Sequence, residues 1–107
     1  VRNKEHGQAM VHLKQAAELA PDEAHYSYVY GIGLNSQQKP EAALAFLRKA
    51  QERHPYERDI LYALSTINAE QGNLEAALSY AEKLIRYYPQ DRRYRELMNY
   101  LGQQAGA

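Results

Sequence analysis

Three prolines, Pro21, Pro55 and Pro89, stand 34 residues apart, and this spacing constrains the fold more than any other feature of the chain. The residues between them keep the same period. Residues 40–55, PEAALAFLRKAQERHP, align without gaps on 74–89, LEAALSYAEKLIRYYP, and share EAAL. One period earlier, residues 8–21, QAMVHLKQAAELAP, fit the same frame. Small residues recur as Ala9, Ala43 and Ala77, apolar ones as Met10, Leu44 and Leu78, and another column holds Ala16, Ala50 and Leu84. A fixed period of this length marks a repeat array, whose units bury their apolar faces only by stacking on neighbours.

Each copy reads as a pair of helices. Over residues 74–88, Leu74, Ala77, Leu78, Ala81, Leu84 and Ile85 recur at helical spacing, with Glu75, Glu82, Lys83 and Arg86 mostly elsewhere. Gly72 and Asn73 supply a helix stop and then an N-cap, and Pro40 stands where a first-turn residue needs no N–H. The periodic prolines follow each second helix and block its continuation. Residues 58–71 and, by register, 24–37 become the first helices of their pairs. Within the second of these lies HYSYVYGIG (25–33), whose alternating Tyr26, Tyr28, Tyr30 and Ile32 imitate a half-buried strand. The long-range period outranks this local one, because residues 59–67 occupy the same register without alternation. A helix is therefore expected, with Gly31 in a slot of close helix packing and Gly33 costing about 1 kcal/mol relative to alanine.

The period and its slots resemble the tetratricopeptide repeat, whose first helix carries W-x2-L-G-x2-Y and whose second carries A-x3-F followed by P. In residues 24–57 the slots hold Tyr30-Gly31, Leu34, Ala43, Leu47 and Pro55; in 58–91 they hold Leu64-Ser65, Asn68, Ala77, Ala81 and Pro89. Ser27 and Leu61 fill the tryptophan slot, and Asn68 replaces an aromatic, so the first helices depart further from the pattern. The resemblance implies a single domain over residues 1–107. It would contain the second helix of a truncated repeat (8–21), two repeats (24–57 and 58–91) and a C-terminal capping helix (92–107). The implied fold is an all-α solenoid of about six antiparallel helices in a right-handed superhelical arc.

Members of that family hold segments of other proteins in the concave groove lined by their first helices. The ligand-facing slots fall on His25, Tyr28, Ile32 and Asn35, then Asp59, Tyr62, Thr66 and Glu70, then Arg93, Glu96 and Tyr100. Tyrosine supplies contact area at low entropic cost plus a hydroxyl, which suits recognition. Tyr28 and Tyr62, one period apart, serve equally well as packing residues, and Tyr26 and Tyr30 are assigned to packing between helices. Members that clamp a chaperone's terminal carboxylate place Lys, Asn and Arg where this chain has Tyr28, Ile32, Ala63, Arg93 and Leu97. Only Arg93 fits that pattern.

Other chemistries lack residues. The 13 basic and 13 acidic residues cancel, which removes the field expected of a nucleic-acid binder. No cysteine is present, so thiol nucleophiles and thiolate metal sites are excluded. His6 and His12 point about 240° apart on a helix, and no histidine pair has metal-ligand spacing. The carboxylates are scattered, with no isolated pair for acid–base work. Neither an enzyme, a cofactor nor a metal is expected. No apolar run is long enough to span a membrane. In RYYPQDRRYRE (86–96), arginines and tyrosines either hold an anionic or aromatic segment or form a solvated turn with Asp91 and Glu96 as partners.

Two readings stand. One is a protein–protein interaction module within a larger protein, since Val1 stands in place of an initiator methionine. The other is a spacer or self-association segment that dimerises through its first helix. That helix lacks a partner in the repeat scheme, so some of Met10, Leu13 and Ala17 should be partly exposed. HYSYVYGIGL and the stretch from Glu57 to Leu84 are also similar to repeat tails of bacterial exported multihaem cytochromes, which leaves cytoplasm and periplasm both open.

Overall fold

The computed structural model of the chain describes residues 2–19 and 23–106, and the described residues form six α-helices. These are α1 (Arg2–Leu19), α2 (Ala24–Ser36), α3 (Pro40–Arg53), α4 (Arg58–Glu70), α5 (Leu74–Tyr87) and α6 (Arg92–Gly106). The fold class is the expected all-α helical-hairpin repeat. Pro21, the expected stop after the first helix, lies outside the described residues. The other two prolines follow their helices by two residues, and Pro40 opens α3 as its first residue. The chain divides into two compact units, Val1–Pro55 and Tyr56–Ala107.

In the first unit α2 packs against both α1 and α3. The tyrosine-rich stretch is helical, and Gly31 explains why the two helices of its hairpin can approach so closely. A Cβ on Gly31 would lie 2.4 Å from Leu47 Cδ2, and Leu47 is fully buried. Gly33, which sequence reasoning left without a role, has one: a Cβ there would lie 2.6 Å from the Met10 sulfur. The flexible thioether fills the space that the missing side chain leaves. The expectation of partial exposure on α1 is met by one residue of the three. Met10 and Ala17 are buried, and Leu13 alone of the three is half-exposed. The helix that lacked a partner within its own repeat found one in the first helix of the next. Tyr30 packs edge-on against Phe46, with ring centroids 4.7 Å apart, as expected of a packing residue. Tyr26 does not, and is 40% exposed.

In the second unit α4 and α5 form the hairpin and α6 covers α5. One cluster joins Leu61, Leu84 and Tyr94; another joins Ala77, Ala81 and Leu101. Burial of each such leucine removes enough apolar surface from water to contribute about 2 kcal/mol. Ser65, one period after Gly31, is buried, and its hydroxyl donates to the Ala77 carbonyl at 2.8 Å. Asn68, which stands in the family's aromatic slot, is buried too. Its amide donates to the Leu64 carbonyl at 2.8 Å, so the polar replacement is satisfied within its own helix.

Both hairpin turns use the same backbone device. The Asn73 N–H bonds the Asn68 carbonyl and the Gly72 N–H the Ala69 carbonyl, closing α4 in a Schellman motif around Gly72, whose φ is 83°. The α2 turn repeats it, with Lys39 N–H to Leu34 and Gln38 N–H to Asn35, but Gln38 occupies the left-handed position at φ 62°. Asn73 occupies the N-cap position of α5 without bonding its backbone; its amide reaches the Asn68 side chain instead.

Two stability measurements follow from this packing. Gln38→Gly relieves a left-handed side-chain residue, partly offset by glycine's greater unfolded entropy, and should raise thermal stability by about 0.5–1 kcal/mol in a calorimetric melt. Gly31→Ala forces Leu47 aside and should cost about 1–3 kcal/mol. Adding Leu47→Ala should make the double variant less unstable than the sum of the two single losses, measured by urea denaturation.

Candidate functional site

Within the second unit, α4 and α6 each present an exposed stripe. On α4, Asp59, Tyr62, Thr66 and Glu70 recur at spacings of three and four residues, which places them on one face. Arg93, Glu96 and Tyr100 do the same on α6. Toward the C-terminal ends of these helices the two stripes border a groove of about 250 Å³. Ala69, Leu74, Leu97 and Leu101 give it an apolar lining, while Thr66, Glu70, Tyr100 and Gln104 supply polar groups. Three of the residues expected from sequence, Thr66, Glu70 and Tyr100, thus come together around one cavity.

The remaining ones distribute as follows. Tyr62 is 42% exposed, and its ring lies 6.2 Å from that of Tyr94. Asp59 and Glu96 are exposed on the same helices. In the first unit His25 is exposed, and Tyr28, Ile32 and Asn35 are half-buried along α2. Leu74 and Leu101 line the groove but were not anticipated. Leu74 is the first residue of α5, so no first-helix register points to it, while Leu101 reads equally well as core.

Arg93 is engaged differently from its expected role. It belongs to a structural cluster at the start of α6, where Asp91 stands at the N-cap position. The Asp91 carboxylate accepts from the Arg93 N–H at 3.0 Å and from its guanidinium at 3.1 and 2.7 Å. Arg58, from the first turn of α4, reaches the same carboxylate at 3.3 Å. Its guanidinium carbon lies 4.0 Å from the Tyr88 ring centroid and 5.6 Å from that of Tyr94. The Tyr88 hydroxyl donates to the Tyr56 carbonyl, and Tyr56 and Tyr87 meet edge-on at 4.8 Å. The hydrogen bond from the Arg93 side chain is the main reason the Asp91 carboxyl falls from 3.8 to about 2, helped by the Arg93 N–H and the Arg58 charge against an opposing desolvation. Burial pushes the Tyr94 phenol upward, against the two guanidinia. The sequence placed Asp91 among the arginines that follow it, but not beside Arg58.

Among the described residues no group of three histidine, aspartate or glutamate side chains could hold a metal, and no helix is long and apolar enough to cross a membrane.

Comparison with known proteins agrees with this architecture. Two family profiles, both described as tetratricopeptide repeat, match residues 34–100 and 5–58. A solved structure titled MamA MSR-1 C2 superposes with a TM-score of 0.77 at 20% identity. The match covers 99% of this chain and 61% of that one, so the chain spans less than two thirds of its structural neighbour. No curated protein matches the chain.

A carboxylate held low by the fold stabilises it above its unfolded value and ceases to do so as acid protonates it. The Asp91 contribution is therefore present above 3.8 and lost as pH falls through about 2. In melts between about pH 5 and about pH 2, Asp91→Asn should lose less thermal stability than the unsubstituted chain.

Proposed function

Since the chain belongs to the tetratricopeptide-repeat family, whose repeats generally mediate protein–protein interactions, we propose that it binds an extended or helical segment of another protein along the exposed faces of its first helices. We place it as one segment of a larger protein, in line with its partial coverage of its structural neighbour. The observation that carries this reading is the groove between α4 and α6. Its apolar lining is flanked by polar groups and by two tyrosines, Tyr62 and Tyr100, that are 42% and 56% exposed. Partly exposed aromatic rings on one helical face are the usual anchors of an interface. His25, Tyr28, Ile32 and Asn35 extend the binding face in the same register on α2.

Catalysis draws no support from the groove. Glu70 is its lone carboxylate, and the groove has no histidine, lysine or cysteine among its lining side chains. Self-association through α1 is the weaker alternative, because Met10 and Ala17 of the face it would use are already packed in the first unit.

Peptides selected from a random display library against the whole chain provide the test. Tyr100→Ala should weaken a selected peptide by about tenfold while leaving the melting temperature unchanged, and Tyr62→Ala should weaken it similarly with a small loss of stability from its contact with Tyr94. Tyr28→Ala should act in the same direction. Undiminished affinity in all three variants would remove this face as the binding surface.

A further inference from the structure

A second cleft lies at the other ends of α4 and α6. It is an open hollow of about 550 Å³ lined by Arg58, Tyr87, Tyr88, Pro89, Asp91 and Arg92. We infer that it is a docking site for an acidic segment of a partner protein, with an apolar or aromatic side chain seated against Tyr87, Tyr88 and Pro89 and carboxylates meeting Arg92 and Arg58. This site is separate from the proposed α4/α6 groove, with which it shares no lining residue.

The charge balance selects the occupant. Both Asp91 oxygens are already engaged, one by Arg93 and the other by Arg93 and Arg58 together. The single carboxylate of the cleft therefore presents little field of its own. Arg92 is exposed and makes no ion pair among the described residues, while Arg95 turns its guanidinium onto the uncharged Pro89 carbonyl. Glu57 and Asp59, the carboxylates at the start of α4, do not line the hollow. Positive charge is in surplus beside an apolar, aromatic wall, and guanidinium forks suit carboxylates.

The residues of this cleft differ from those at the other repeat turn. One period earlier the positions of Arg58, Tyr87, Tyr88, Asp91 and Tyr94 hold Ala24, Arg53, His54, Glu57 and Ile60. The acidic cap recurs there, since Glu57 accepts the Asp59 N–H as Asp91 accepts the Arg93 N–H, but the arginine and the paired tyrosines do not, so the guanidinium–aromatic wall is particular to this turn. A protein segment is favoured over a nucleic acid because the chain has zero formal net charge, which gives no extended basic track for a polyanion.

The probe is a fluorescein-labelled peptide with phenylalanine flanked on both sides by runs of glutamate, titrated into the whole chain by fluorescence anisotropy. Binding should weaken as salt is raised, and should be lost when lysine replaces the glutamates. Arg92→Glu should reduce affinity by about tenfold, whereas Arg86→Glu, outside the cleft, should change it by less than about twofold. NMR shifts should fall on Arg58 and on residues 87–92. Equal effects of the two arginine changes, shifts centred on Thr66 and Tyr100, or stronger binding of a single-stranded oligothymidylate would each overturn the inference. So would sedimentation showing that a second copy of the chain fills the cleft. A failure here leaves the α4/α6 groove untouched, because its tyrosine substitutions are read with different peptides.

Discussion

Each hairpin depends on how closely its two helices can approach, and one small residue sets that distance. In the first, Leu47 lies where Gly31 has no side chain, so the helix backbones draw together around a buried leucine. In the second, Ser65 holds the equivalent position and ties α4 to α5 through the Ala77 carbonyl. The pairing is complementary by register: glycine stands opposite leucine in one copy, and serine opposite Ala81 in the other. Volume lost from one helix is supplied by the other, which is how a close-packed interior tolerates divergence between repeats.

The functional surface depends on that packing. Because the apolar faces of α4 and α6 are committed to α5 through Leu61, Leu84, Tyr94 and Leu101, the opposite faces remain exposed and can carry side chains of any chemistry. Their polar and aromatic stripes form the face proposed to meet a partner. The same division explains why Tyr94 is core while Tyr100, six residues on, is exposed: the two lie on different sides of one helix.

Much of this was legible in the sequence because the signals were covalent and local. A proline ends each second helix, a small residue marks each close contact, and 34-residue spacing overrules the strand-like tyrosines of residues 25–33. The register also placed Thr66, Glu70 and Tyr100 on neighbouring faces that share a groove. Contacts that depend on two distant elements were less accessible. Met10 over Gly33 requires knowing that α1 would stack on α2, and hydrophobic pattern alone left that face apparently unpartnered. Tyr26 followed the packing pattern by spacing yet lies at the first turn of α2, where it remains substantially exposed. Arg58 and Asp91 are separated by 33 residues, and no helical or turn rule connects them.

That last contact shapes how the second unit can move. Arg58 belongs to the first turn of α4 and Asp91 precedes the first turn of α6, so their bridge ties the beginnings of both helices together. The groove bordered by Thr66 and Tyr100 lies toward their far ends. The bridge therefore restrains the near ends of the two helices against separating, while the groove at the far ends is walled by side chains of three different helices.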